Sequence, residues 1–357
     1  MKSRSLELLI TVGLLAVLGG CSSVDREADT AFPGTVLRGA GATFPSLLYN
    51  RWFSTYEKDH AQISIRYDSV GSGEGVRRFK GRNVEGKDLV DFGASDAAME
   101  DGDMAEVSNG VILLPVTAGS VVLAYNLPMV EGELRLSRRA YTGIFLGEVR
   151  GWDDPLIAEA NPGITLPQLT ITVAVRQDPS GTTYALTKHL DAVSDRWRRQ
   201  FGPRTLVDWP GNAMRTKGNE GLAGRIQQSI GSIGYVGYEF AARLGLKMAT
   251  LENRERNFVK PSQQSSVASL SAVQLPHNLR VFLPDPPGRD SYPIVTYSWV
   301  LLYRNYPTAE KAREIRNLFR WCLVEGQNYA PELHYVRLPV DVTDKALAAL
   351  NTITPTE

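Results

Sequence analysis

Apolar and polar positions along this chain fall into two alternating periods. Residues 46–57 place Leu47, Leu48, Trp52, Phe53 and Tyr56 at helical spacing, which predicts a helix with one buried face. Residues 63–67 (ISIRY) alternate with the strand period of two. The apolar runs at 111–114 and 120–126, and LTITVAV at 169–175, predict buried strands. Residues 182–190 and 221–229 return to helical spacing. A long β-type run at 294–303 precedes a helix over 309–323. The stretch 260–271, rich in Ser and Gln, predicts a surface loop or a weak helix. Strands and helices taking turns in this way predict an α/β fold. The chain's 357 residues are too many for one ordinary core and fit two domains.

The first residues follow a different pattern. Lys2 and Arg4 precede an almost purely apolar run of about 11 residues, 8–18, and Gly19, Gly20 and Cys21 follow it. That run is too short to span a bilayer and suits the core of a signal peptide. Small residues directly before a cysteine resemble a lipobox. Residues 1–20 are therefore expected to be a signal peptide. Cys21 is the expected lipidation site, and 21–33 a polar tether that holds the protein beside a membrane. The expected location is periplasmic or extracytoplasmic.

Charge narrows the function further. Lys plus Arg number 39 and Asp plus Glu number 39, so the net charge is zero. A nucleic-acid binder would show a basic excess, and none is present. The four histidines lack ligand spacing, so no metal site is expected, and no cofactor is called for. Of the two cysteines, Cys322 falls within the apolar run 318–323 and is expected to be a buried thiol on a helix.

Three segments share one design, a strand followed by a Gly/Ser/Thr turn and a helix start. They are GAGATFP (39–45), VGSGEG (70–75) and RQDPSGTT (176–183). In the first, Thr43 is a natural N-cap and Pro45 suits the first helical turn. In the second, a helix is expected to start near Gly73. In the third, Ser180 can cap the next helix, and Arg176 ends the strand where it can point into a cleft. Helix starts offer unpaired N–H groups and a partial positive charge, so they are ready anion sites. In a fourth segment, VDFGASDA (90–97), Asp96 follows a short strand and is expected to open another helix, either as its cap or as an acceptor facing the site.

Together these segments resemble the periplasmic phosphate-binding proteins of the high-affinity phosphate ABC transporters. The segment LGEVRGWDD (146–154), KGNEG (217–221), IGYV (233–236) and YPI (292–294) agree with that family, and the resemblance covers about residues 36–345. It implies a class II binding-protein fold, two α/β lobes joined by two chain crossings. Lobe one would be 34–117 plus 290–357, and lobe two 118–289. It also implies a phosphate site between the lobes. Thr43 and Ser72 would contribute hydroxyls and Phe44 its backbone N–H. Arg176 would be the contacting cation, oriented by Asp178. Ser180, Gly181 and Thr182 would supply helix-end donors, and Asp96 would be the acceptor. The implied partners are inorganic phosphate and the membrane permease and ATPase subunits of a transporter, with no nucleic acid. The protein is expected to act as a monomer and not as an enzyme. Glu74 departs from the family pattern, which has a small residue there; it is expected to point outward, at its own helix N-terminus.

The acid at 96 favours phosphate on chemical grounds. Near neutral pH phosphate carries at least one proton, and sulfate carries none. A buried carboxylate can accept from phosphate O–H, whereas sulfate would meet it with a like charge. The alternatives are a receptor for another oxyanion such as sulfate or molybdate, an extracellular phosphatase, or a lipoprotein that keeps the fold without the site. No histidine lies near Ser72 or Ser180 in sequence, which argues against a phosphatase.

Overall fold

The structure, a computed structural model, describes residues 32–271 and 274–356. The expected signal peptide (1–20) and Cys21 lie outside the described residues. Among the described residues, no helix is long and apolar enough to cross a membrane.

The chain opens with strand β1 (Thr35–Gly41), helix α1 (Ser46–Asp59), strand β2 (Ile63–Ser69), helix α2 (Ser72–Lys80) and strand β3 (Phe92–Ser95). The predicted face of α1 is buried through Leu48, Tyr49, Trp52, Phe53 and Tyr56. Trp52 Nε1 donates to the Gly326 carbonyl at 2.6 Å, so the largest ring in this helix is also satisfied as a polar group. Strand β4 (Val111–Tyr125) is next and is buried along all 15 residues. The two apolar runs read at 111–114 and 120–126 are this one strand. Pro115 and Gly119 interrupt the apolar pattern without ending the pairing. Proline lacks a donor for the ladder, and the register to the neighbouring strand shifts beside it, pairing Ser298 with Thr117 and then Trp299 with Pro115.

The second half continues with β5 (Thr172–Arg176), α3 (Gly181–Val193), β6 (Met214–Thr216), α4 (Gly218–Gln228), β7 (Ser232–Gly237) and the short helix α5 (Tyr238–Arg243). Strand β5 begins three residues later than the apolar run LTITVAV. Thr170 makes only an isolated bridge to Gly151. The chain then returns through β8 (Val295–Tyr303) into helix α6 (Ala309–Leu323), where Cys322 is a buried free thiol. The Ser/Gln-rich stretch forms a helix, Gln263–Ser271, with Ser265, Ser266, Ser269 and Leu270 buried.

The strands are ordered β2–β1–β3–β8–β4–β7–β5–β6, with Lys247–Met248 paired to β4 as a ninth. Residues 111–120 of β4 pair with β8, and residues 121–125 pair with β7. Two apolar cores flank that switch. One holds Trp52, Phe92, Trp299 and Phe319, and takes β4 as far as Ala118. The other begins at Val121 and holds Trp152, Trp197, Trp209 and Tyr235. Leu270, Leu275, Leu279 and Leu283 pack into the first core, while Tyr292 and Ile294 pack into the second. The molecule is thus a two-lobed α/β structure, with β4 running unbroken from one lobe to the other.

Candidate functional site

Parallel strands β1, β2 and β3 of one lobe and β5 and β6 of the other all end at the same interlobe seam. Loops at strand C-termini are where open α/β sheets present ligand-binding groups. Thr43 follows β1, Ser72 follows β2, Asp96 follows β3, Arg176 ends β5 and Gly218 follows β6.

The structure corrects two readings of these turns. Thr43 does not cap α1; Pro45 holds the N-cap position and no side chain bonds there. The Thr43 hydroxyl is instead taken by Asn219 of the other lobe, from its backbone N–H at 3.1 Å and its Nδ2 at 2.9 Å. Asp96 does not open a helix. It stands in a bend, and the next helix is Asp101–Ala105. Its Oδ1 accepts from Ser298 Oγ at 2.7 Å, which leaves the second oxygen as the cluster's acidic acceptor.

Ser72 begins α2, one residue ahead of the expected start. Its Oγ accepts from Gly181 N–H of the other lobe at 3.1 Å and from Asp96 N–H at 3.3 Å. A hydroxyl has two acceptor lone pairs and one proton. Both lone pairs of Ser72 are taken, so it has only a proton left to offer. Beside it, Gly73 N–H donates to the Pro179 carbonyl at 3.1 Å, again between lobes. The approach requires glycine at two places. Gly71 has φ +98°, and a Cβ there would sit 2.4 Å from Asp178 Oδ2. A Cβ on Gly181 would sit 2.6 Å from the Asp96 Cβ and 2.7 Å from Ser72 Oγ.

From the second lobe comes the buried cation Arg176, 1% exposed. Its Nε donates to Asp178 Oδ1 at 2.8 Å and its Nη2 to Asp178 Oδ2. Gly218 N–H also donates to Asp178 Oδ1, at 3.2 Å. The carboxylate therefore fixes the guanidinium plane. The Nη1 atom is buried and has no hydrogen-bond partner. Ser180 caps α3 as expected, its Oγ accepting from Thr183 N–H at 3.2 Å. Thr182 is fully buried, and its Oγ1 accepts from Asn219 Nδ2 at 3.1 Å. The Phe44 ring is buried, and its carbonyl accepts from Tyr335 Oη at 2.7 Å.

Electrostatics separate Asp96 from Glu74. Burial pushes the Asp96 carboxyl up to about 7, against the pull of the Ser298 hydrogen bond and the Arg176 charge. Glu74 faces away from the seam. Arg77 Nε donates to its Oε2 at 2.7 Å and Arg78 Nε to its Oε1 at 2.9 Å. The Arg77 hydrogen bond, with help from Arg78, holds its carboxyl at about 2. Its charge is thus neutralised on its own helix.

The structure brings Thr43, Ser72, Asp96, Arg176, Asp178, Ser180, Gly181 and Thr182 to one seam. Asn219 and Ser298 were missed in the sequence. Asn219 lies within KGNEG, one of the segments that carry the family resemblance; Ser298 is a lone hydroxyl inside the apolar run 294–303. The cluster is rich in donors, and its hydroxyl–carboxylate bond is that of Ser298 Oγ to Asp96 Oδ1. His189 is buried in the second core, bonded to Tyr141 Oη and the Pro284 carbonyl, and burial lowers it to about 4. Among the described residues, no group of three or more His, Cys, Asp or Glu side chains is placed to hold a metal ion.

Comparison with known proteins places these features in a family. A model of the PBP superfamily domain matches residues 27–322. The phosphate-binding protein PstS of Pasteurella multocida is 35% identical over 342 residues, 95% of this chain and 95% of its own. The PstS of Methanocaldococcus jannaschii is 32% identical over 369 residues, 96% of this chain and 92% of its own. Among solved structures, the high-affinity periplasmic phosphate-binding protein PfluDING, bound with phosphate, shares the fold. Its TM-score is 0.74 at 21% identity, covering 88% of this chain and 93% of its own. The ancestral soluble variant of the human phosphate binding protein gives 0.71 at 19%, covering 90% and 100%.

Proposed function

Because the chain belongs to the PstS family of phosphate-binding proteins, within the PBP superfamily, we propose that it binds inorganic phosphate between its lobes and delivers it to a phosphate ABC transporter. The observation that carries this reading is Arg176 Nη1, a buried, charged donor without a partner. An unmet buried donor costs about 1–3 kcal/mol, and more when charged. An oxyanion at the seam offsets that cost.

The remaining roles follow from the donor inventory. Thr43 and Ser72 offer hydroxyl protons, and Phe44 offers its backbone N–H. Ser180, Gly181 and Thr182 present the N-terminus of α3, whose partial positive charge favours an anion, while the N–H of Gly181 is given to Ser72 Oγ and that of Ser180 to the Thr205 carbonyl. Asp178 holds Arg176 in place. Asp96 accepts a hydrogen bond from a protonated ligand. Lobe one supplies Thr43, Phe44, Ser72 and Asp96, and lobe two supplies the others. Ligand bridging them stabilises the closed arrangement over an open one. The lobes swing about β4 near residues 118–121 and about the stretches where the chain passes between the two cores, 259–270, 283–292 and 294–295.

Export through residues 1–20 and lipidation at Cys21 place the protein outside the cytoplasm, tethered beside the permease and ATPase that receive its cargo. It acts as a monomer and as a carrier without catalysis. A site of fixed donors suits capture and release. Calorimetric titration with phosphate and with sulfate at neutral pH tests the reading. Phosphate is expected to bind at least about 100-fold more tightly, a difference of ~2.7 kcal/mol. Equal affinities would replace phosphate with a general oxyanion ligand, and no binding of either would remove the function.

A further inference from the structure

Asn219 is fully buried at the first turn of α4, with its backbone N–H and both ends of its side-chain amide engaged. Its backbone N–H donates to Thr43 Oγ1 at 3.1 Å. Its Nδ2 donates to Thr43 Oγ1 at 2.9 Å and to Thr182 Oγ1 at 3.1 Å. Its Oδ1 accepts from Gly237 N–H at 3.0 Å. The last bond fixes which way the amide faces. A backbone N–H can only donate, so the oxygen must lie toward Gly237 and the nitrogen toward the two hydroxyls.

That orientation decides what the hydroxyls can do. Thr43 Oγ1 receives two hydrogen bonds, so both lone pairs are spent and only its proton is free. Thr182 Oγ1 receives one. Gly218, with φ +68°, turns the chain so that Asn219 reaches both. Thr43 belongs to the first lobe, while Thr182 and Gly237 belong to the second. The same amide therefore joins the lobes and sets the polarity of the hydroxyls at the seam.

We infer that Asn219 is a positioning residue, an interlobe latch that forces the Thr43 hydroxyl, and biases that of Thr182, to act as a donor to the bound anion. This rests on the phosphate reading above and adds to it the group that gives the hydroxyls their direction. Asn219→Asp tests the polarity. A carboxylate oxygen replaces the Nδ2 donor and draws both hydroxyl protons toward itself. Asn219→Ala removes the amide without adding an acceptor.

Phosphate affinity is measured by calorimetry for the whole chain and for Asn219→Asp, Asn219→Ala, Thr43→Val and Asn219→Ala with Thr43→Val. Each Asn219 variant is expected to bind about 10- to 100-fold more weakly. With Thr43→Val already present, Asn219→Ala is expected to cost at least about threefold less than it does alone, because the two act through one hydroxyl. An amide that acts independently of the Thr43 hydroxyl would cost the same in both backgrounds, and that outcome overturns the inference. If Asn219→Asp does not fold, the alanine cycle decides alone. Unmodified protein that ignores phosphate sinks the functional reading and the latch with it. Unmodified protein that binds, beside Asn219 variants that bind equally well, sinks the latch alone.

Discussion

Asp96→Asn, studied across pH, examines the chemistry of selection directly. Asp96 is 1% exposed, and burial pushes its carboxyl up to about 7. Below about 7 the group carries a proton and donates it to any oxyanion. Above that it is a carboxylate and accepts, so it requires a proton on the ligand. Sulfate has none to give. Sulfate affinity should then follow the protonated fraction of Asp96, falling about tenfold per pH unit above about 7, or ~1.4 kcal/mol per unit. Between about pH 5 and about pH 9 the loss is about 100-fold, ~2.7 kcal/mol. Phosphate keeps a proton over that range and loses much less. Ser298 Oγ donates to Asp96 Oδ1, so in the asparagine variant it holds the amide oxygen and leaves Nδ2 as a donor at the seam. Sulfate binding by that variant becomes level with pH, and the phosphate preference above about pH 8 narrows by about tenfold or more. Titration of both proteins with both anions at three pH values is the assay. Sulfate affinity that stays level in the unmodified protein would refute the reasoning, as would an unchanged preference in Asp96→Asn.

Three further outcomes follow from the same seam. Arg176→Ala removes the buried cation and leaves Asp178 unpaired. Phosphate affinity should fall by about 2–5 kcal/mol, more than for Thr43→Val or Ser180→Ala, as measured by calorimetry. Gly181→Ala places a methyl group 2.6 Å from the Asp96 Cβ. The lobes cannot close fully, so affinity should fall about 100-fold while ligand-free thermal unfolding moves little. Glu239, at the first turn of α5, has both carboxyl oxygens buried without partners, and burial pushes it well above the ordinary carboxylate range. The native state then holds a proton that the unfolded chain releases above about 4.3, so this group's stabilisation is full below that pH and is lost as pH rises through the raised native value. Glu239→Gln removes the loss, so its melting temperature should exceed the parent's by about 2 °C or more at pH 8 and by less at pH 5.

Local signals carried much of this site, and their limit is physical. Strand, turn and helix start are written in adjacent residues, which is why GAGATFP, GSGEG and RQDPSGT could each be placed at a strand end before any fold was known. Ser180 as a cap and Asp178 beside Arg176 are also contacts within a few residues. Glu74 belongs to the same class, since its partners Arg77 and Arg78 lie three and four residues on. The misreadings are long-range. Thr43 reads locally as a cap because its partner is 176 residues away. Asp96 reads locally as a helix start because Ser298 is 202 residues away. Strand β4 reads as two apolar pieces because Pro115 and Gly119 break the run, and the register shift that accommodates Pro115 leaves Val116 as the extra residue on β4. Composition can say that a hydroxyl is present, but a hydroxyl is donor and acceptor at once. Its direction depends on which neighbours take its lone pairs, and for Thr43 both bonds come from the opposite lobe, as does one of the two at Ser72. On the proposed reading, anion selectivity is therefore a property of lobe closure as much as of residue type. A chain with the same turns but without the amide at 219 would keep the motif and lose the forced donor.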